Sequence, residues 1–237
     1  MGITRENSRD ADRVAHDLAS AYDLTLVADW GEVDEGWRTG YWSSAELRTV
    51  RKAVEDLATA LGGADRFAHH VGHVTIRQED IPHRGQASKG VVTFTASPVS
   101  IDTWTVVHEL GHVWDAHHGW HLSKALEAHT GGYTFRPGML LRKWLGRLDD
   151  ERRWPGCNRF GYFYGGTPPA GSDANFNRKE DFAEAVTAYV YPAVAQSRVE
   201  RFKDDGRYAE FLYYADYTNT RRWAFVAGLV KGDILVS

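Results

Sequence analysis

One five-residue stretch constrains this chain more than any other: His108-Glu109-Leu110-Gly111-His112 spells the H-E-x-x-H pattern. Its flanks, Thr105-Val106-Val107 and Val113-Trp114, are uncharged and mostly apolar, as a buried helix requires. Residues i and i+4 of a helix lie on one face, about one turn apart. Two imidazoles placed in this way can share one tetrahedral zinc ion, and the carboxylate of Glu109 then lies beside the water held by the ion. The pattern therefore predicts a metal site with its own general base.

The composition is that of an ordinary globular protein. The chain has 237 residues, of which 43% are hydrophobic and 25% charged, so it can bury a sizeable core. A net charge of −4 gives no dominant basic field, and we therefore expect no nucleic-acid partner. The sequence gives no indication of an oligomeric state.

Cys157 is the only cysteine, which excludes an intramolecular disulfide and a thiolate metal cluster. The segment Met1–Asp10 lacks the apolar run of a signal peptide, and no segment approaches membrane-spanning length. We therefore expect a cytoplasmic protein with no membrane span. A domain taken from a longer secreted precursor would have the same features, so that possibility stays open.

Hydrophobic periodicity and capping residues predict the elements around the motif. The expected helices cover about 8–22, 43–61, 102–118, 122–128, 139–148, 179–190 and much of 207–229, and the expected strands cover 73–77 and 90–96. The strand over 90–96 is a candidate exposed edge that could take up an extended peptide. Pro192 is expected to end the helix before it. Residues 30–42 and 155–176 are expected to be loops, and the second is long enough to suggest a lid.

This order of elements predicts an α+β fold with a small mixed sheet and a mainly helical C-terminal part. We expect one domain over residues 1–237. Its N-terminal sublobe would cover about 1–130 and carry the motif helix. Its C-terminal sublobe, about 131–237, would supply the third metal ligand.

Glu180 is the first candidate for that third ligand, because a catalytic zinc keeps three protein ligands and one open position. It lies in the run Lys-Glu-Asp-Phe-Ala-Glu-Ala over 179–185. Glu180 and Glu184 share a helix face, so one could bind the ion while the other accepts the remaining N–H of a ligand histidine. Asn177 and Glu180 also have the spacing of a capping box, in which Glu180 would satisfy backbone amides instead.

His118 is the other candidate. It follows His112 by six residues, as in the three-histidine pattern H-E-x-x-H-x-x-G-x-x-H. However, Asp115 occupies the glycine position, where the chain must leave the helix. The methionine turn expected after that pattern would have to come from Met139. A polar helix end also explains His118 and its neighbour His117.

The motif and the later run together resemble a known group. His108 to His112 with Asp115 three residues on, followed by Glu180-Asp181-Phe182-Ala183-Glu184, is similar to the gluzincin-type zinc metallopeptidases. The nearest similarity is to the lethal-factor-like and Pro-Pro endopeptidase branch, and to uncharacterised bacterial H-E-L-G-H proteins with an E-D-F-A-E helix. It covers about residues 89–192 and implies a zincin-like fold.

The resemblance also implies a role for each matching residue. His108, His112 and Glu180 would bind Zn²⁺, and Glu109 would be the general base. Two further carboxylates would support these residues without binding the ion themselves, Glu184 and Asp115.

A tyrosine shortly before the ligand glutamate stabilises the oxyanion in such relatives. Here the sequence departs from the pattern, because the expected position, seven residues before Glu180, is Asp173. Tyr164 is the candidate if the intervening loop is longer than usual, and Tyr162 is the alternative.

These features predict a zinc metallopeptidase, most simply an endopeptidase, which hydrolyses a peptide or protein substrate with a zinc-bound water activated by Glu109. One alternative is a catalytically inactive zincin that acts as a binding module. Another is a metzincin-type site with His118 as its third ligand. A toxin or effector with a single protein target is a further possibility.

Overall fold

The computed structural model of the chain describes residues 5–27, 42–96, 101–134, 162–163, 177–202 and 217–236. The chain divides into two compact units, Met1–His118 and Gly119–Ser237. The described residues form eight α-helices and a four-stranded mixed sheet, which is an α+β fold that is mostly helical. The division into a single domain with sublobes meeting near residue 130 stays a prediction, as does the zincin-like fold. None of the described helices is both long and apolar enough to cross a membrane.

The described part of the first unit contains four helices: α1 (Arg5–Tyr22), α2 (Ser44–Leu61), α3 (Ala64–Val71) and α4 (Thr103–His117). Helix α2 begins with a capping box between Ser43 and Glu46, and it ends at Gly62 in the left-handed conformation. Its buried stripe contains Leu47, Val50, Val54, Leu57 and Leu61, and its bounds agree with the helix expected over 43–61. The sequence therefore predicted α2 correctly, whereas the short helix α3 was not expected.

The sheet of the first unit has the order β1-β2-β4-β3, with β1 (Leu24–Leu26), β2 (Val74–Glu79), β3 (Gly85–Ser88) and β4 (Val91–Thr95). Strands β1, β2 and β4 are parallel, and β3 runs antiparallel to β4. The expectation that the strand over 90–96 is an exposed edge was wrong, since β4 lies between β2 and β3. Among the described strands the edges are β1 and β3, and the sequence of β3, Gly-Gln-Ala-Ser, has no apolar alternation to reveal a strand.

A two-residue turn joins β3 to β4. Lys89 and Gly90 have φ values of 38° and 84°. Positive φ at both central residues matches the right-handed twist of a hairpin, and glycine adopts it without steric cost. Because this turn fixes the register, Gly85 pairs with Phe94, and Ser88 pairs with Val91.

The second unit contains α5 (His121–Thr130), α6 (Arg178–Val190), α7 (Pro192–Phe202) and α8 (Arg221–Lys231), a 3₁₀ turn over Tyr217–Asn219, and a two-stranded antiparallel ladder of β5 (Tyr133–Thr134) with β6 (Tyr162–Phe163). Helix α6 packs against α5, α7 and α8. The helix expected over 179–190 ends at Val190, just before Pro192, as predicted, and Pro192 begins a further helix, α7, that was not expected. The first helical position suits proline, because its missing N–H would have no partner there.

Several predictions concern residues outside the described part of the chain. They are the helix over 139–148, nearly all of the loops over 30–42 and 155–176, and the first half of the helical segment over 207–229.

Candidate metal centre

Helix α4 carries the motif. Its N-cap is Asp102, whose Oδ1 accepts a hydrogen bond from the backbone N–H of Thr105 at 2.7 Å. Aspartate is among the residues preferred at an N-cap. The helix is buried on most of its circumference by these residues: Trp104, Val106, Val107, Glu109, Leu110, Gly111, Val113, Trp114 and Asp115. Helices α2 and α3 and strand β3 pack against it, so the motif lies on a firmly held element of the first unit.

The Nε2 atoms of His108 and His112 lie next to each other. These atoms are 3.2 Å apart, and the rings meet nearly at right angles with an interplanar angle of 87°. A tetrahedral zinc ion with Zn–N bonds of about 2.0–2.1 Å would hold two ligand nitrogens about 3.3–3.4 Å apart. The observed separation of the two nitrogens therefore fits a shared ion.

Glu180 lies in the first turn of α6. Asn177 caps this helix, and its Oδ1 accepts hydrogen bonds from the backbone N–H groups of Lys179 at 2.9 Å and Glu180 at 3.4 Å. The carboxylate of Glu180 belongs to a group with His108 and His112, in which one ligand atom of each lies within 4.8 Å of the others. Two imidazoles and a carboxylate are a suitable donor set for a divalent ion, so this group could hold a metal.

Glu109 lies between the two histidines in the sequence and is only 7% exposed. Its side chain lies against the first residue of β3, because a Cβ added at Gly85 would be 2.9 Å from both Cγ and Oε1 of Glu109. A buried carboxylate next to two potential metal ligands has the location expected of a general base. That role stays a prediction.

The two carboxylates expected to support the ligands are both buried. Asp115 on α4 is 0% exposed, and Glu184 on α6, one turn after Glu180, is 8% exposed. Their burial agrees with a supporting position, and their roles stay predictions.

His118 does not belong to the group of potential ligands found among the described residues. Its ring instead makes a hydrogen bond to the backbone of His70, at the end of α3. Burial lowers the pKa of His118, and the neighbouring His117 lowers it further. The imidazole therefore lies in a cluster of histidines within the first unit.

No oxyanion-stabilising tyrosine emerges from the described side chains. Tyr164 lies outside the described residues, and Tyr162 belongs to β6, of which only the backbone is described. Another tyrosine, Tyr217, is 4% exposed, and burial raises the pKa of its hydroxyl, with Asp181 and Glu184 close enough to contribute. Tyr217 was not singled out from the sequence, because its segment is rich in aromatic residues.

A buried ion pair in the second unit was also missed. Arg222 on α8 donates two hydrogen bonds to Asp181 on α6, one from Nε to Oδ1 and one from an Nη to Oδ2 at 2.8 Å. Asp181 is 0% exposed and Arg222 is 2% exposed. The pair fixes the first turn of α6 directly beside Glu180. Nothing in the sequence links two residues so far apart in the chain.

Comparison with known proteins gives no assignment. No protein-family model matches the sequence, and no curated protein or solved structure shows significant similarity to it. The function must therefore be argued from the residues themselves.

Proposed function

We propose that the protein is a zinc-dependent peptidase of the gluzincin type, with His108, His112 and Glu180 as the metal ligands. The single observation that carries this proposal is the group of two imidazoles and one carboxylate with ligand atoms within 4.8 Å of one another. The 3.2 Å separation of the two Nε2 atoms adds to it, because it suits one shared ion. Zinc supplies Lewis acidity when bound, polarising a carbonyl and lowering the pKa of a coordinated water toward about 7.

Glu109 is the general base in this proposal. Its carboxylate removes a proton from the attacking water while the water oxygen forms a bond to the carbonyl carbon of the substrate. The same carboxyl group then delivers this proton to the leaving amine nitrogen as the C–N bond breaks. The products are a carboxylic acid and an amine, so no other reactant is consumed.

A peptide substrate is favoured by the position of β3. Among the described strands β3 pairs with β4 alone, so its other edge has no partner strand in that part of the chain. An extended peptide can add to such an edge through main-chain hydrogen bonds. The side chain of Glu109 lies against the start of this strand at Gly85, so a bound peptide would run close to the proposed base.

The experiment is a digest of a peptide library by the purified chain supplied with zinc, compared with Glu109→Gln. The variant keeps the size of the side chain but cannot accept the proton, so we expect it to retain zinc and to lose at least about 10²-fold in kcat. Glu46→Gln, which changes a partly exposed carboxylate of the capping box of α2, is the control for a Glu-to-Gln change. Full hydrolysis by Glu109→Gln would refute the assignment of the base. Zinc binding with no hydrolysis of any peptide would instead make the chain a metal-containing binding module.

A further inference from the structure

Gly85 has an unusually close neighbour. A Cβ built on this residue would lie 2.9 Å from Cγ, 2.9 Å from Oε1 and 3.1 Å from Cδ of Glu109. Real Cβ atoms essentially never make contacts shorter than 3.0 Å. A side chain at position 85 would therefore displace either the strand or the carboxylate.

The backbone conformation does not require glycine here. Gly85 is not among the glycines with positive φ, so any residue could adopt its conformation. The close approach of the Glu109 side chain is therefore the remaining reason for glycine at this position. In contrast, Gly90 in the turn has a φ of 84°, and this backbone conformation accounts for glycine at that position.

The strand cannot easily move away from α4. Gly85 pairs with Phe94, which is fully buried and packs edge-on against Trp42. The carbonyl of the preceding residue, Arg84, accepts a hydrogen bond from the N–H of Thr95 at 3.1 Å. The start of β3 is thus held on its inner edge.

The carboxylate of Glu109 is the part that would move. Its Cγ is one of the two closest atoms, so a rotation at the far end of the side chain does not relieve the contact. The residue is also 7% exposed, which leaves few other positions for it. A displacement of about 1 Å at a reacting group can cost roughly 10²-fold in rate.

We propose that Gly85 is a positioning residue for Glu109: the missing side chain is what allows the carboxylate to lie against the edge strand. The catalytic consequence rests on the proposed function, whereas the steric consequence does not. Gly85→Ala should therefore be measured in two independent ways on the full chain.

The first measurement is a double-mutant cycle on the metal-free protein. Gly→Ala in a strand stabilises by itself, because it restricts the unfolded chain. We nevertheless expect Gly85→Ala to lower Tm by about 2–10 °C, as overpacking does. In the background of Glu109→Ala, which removes Cγ, Cδ and Oε1, the same change should leave Tm unchanged or raise it. An equal loss of Tm in both backgrounds, or no loss in either, would overturn the proposal.

The second measurement is kinetic. We expect Gly85→Ala to lower kcat by about 10²-fold with little change in KM and with an unchanged zinc content. Thr59→Ser, a small change on the exposed face of α2 and outside the site, should keep both constants. Unchanged kcat in Gly85→Ala would overturn the positioning role. If the wild-type protein hydrolyses no peptide, the proposed function fails, but the Tm cycle still decides whether Gly85 makes room for Glu109.

Discussion

Arg222 holds Asp181 through two buried hydrogen bonds, and Asp181 directly follows Glu180 in the chain. A planar guanidinium matches a carboxylate in this bidentate geometry, so the pair fixes the orientation of the first turn of α6. A potential metal ligand is thereby placed by an interaction one residue away from it.

Removal of Arg222 should destabilise the folded protein, because it leaves the charge of Asp181 buried and uncompensated. We expect Arg222→Leu to lower the free energy of unfolding by about 3–5 kcal/mol. Urea denaturation checks this. The control is Arg51→Leu, whose partners Asp17 and Glu55 are exposed, and it should change stability by no more than about 1 kcal/mol. Equal effects of the two substitutions would contradict the importance of the buried pair.

The cap of the motif helix gives a second prediction. Asp102→Ala removes the acceptor for the N–H of Thr105, and we expect a loss of about 0.5–2 kcal/mol in urea denaturation. Asp102→Asn keeps an oxygen at the same position and should retain most of this stability. If the alanine and asparagine variants are equally destabilised, the hydrogen bond is not the cause.

The first unit contains a cluster of four histidines, His69, His70, His117 and His118. This cluster should make the stability of the protein depend on pH. Burial, together with electrostatic repulsion from His69, Arg66 and His118, lowers the pKa of His70 to about 4. The Nε2 atom of His70 is buried without a hydrogen-bond partner among the described residues. Protonation of this buried imidazole is therefore disfavoured in the folded protein.

The direction of the pH dependence of stability follows from the direction in which the pKa of His70 is shifted. The pKa of His70 is lower in the folded state than the ordinary value of 6.5, so the unfolded chain binds more protons between these two values. The contribution of neutral His70 to the free energy of unfolding is fully present above about pH 6.5 and is lost as the pH falls toward 4. We expect Tm to decrease from pH 7.5 to pH 5 with a smaller decrease in His70→Gln. His83→Gln, a change of an exposed histidine, should follow the wild type. An identical decrease in His70→Gln would contradict this account.

Much of the local structure followed from the sequence, because its causes are local. The stripe from Leu47 to Leu61, the caps Ser43 and Asp102, and the end of α2 at Gly62 depend on residues close in the chain. The H-E-x-x-H spacing likewise places two imidazoles on one helix face. The resemblance to zinc peptidases supplied the choice of Glu180, which agrees with the group of potential ligands in the structure.

Other features could not be predicted because their causes are distant in the chain. Strand β3 is four residues long, has little apolar character and exists by pairing with β4. Without β3, neither the interior position of β4 nor the contact of Gly85 with Glu109 could be foreseen. Helix α6 ends just before Pro192, as expected, but helix α7, which begins at this residue, was not expected.

The most direct test of the account is the zinc affinity of three proteins, measured by competition with a chromophoric chelator: the wild type, Glu180→Gln and His118→Gln. The account predicts about one equivalent of tightly bound zinc for the wild type. Loss of a supporting residue typically costs about 10–100-fold in affinity, so the loss of the ligand in Glu180→Gln should exceed about 100-fold. The affinity of His118→Gln should remain at the wild-type value. If the wild type binds no zinc, or if His118→Gln loses affinity while Glu180→Gln keeps it, the proposed metal centre is wrong.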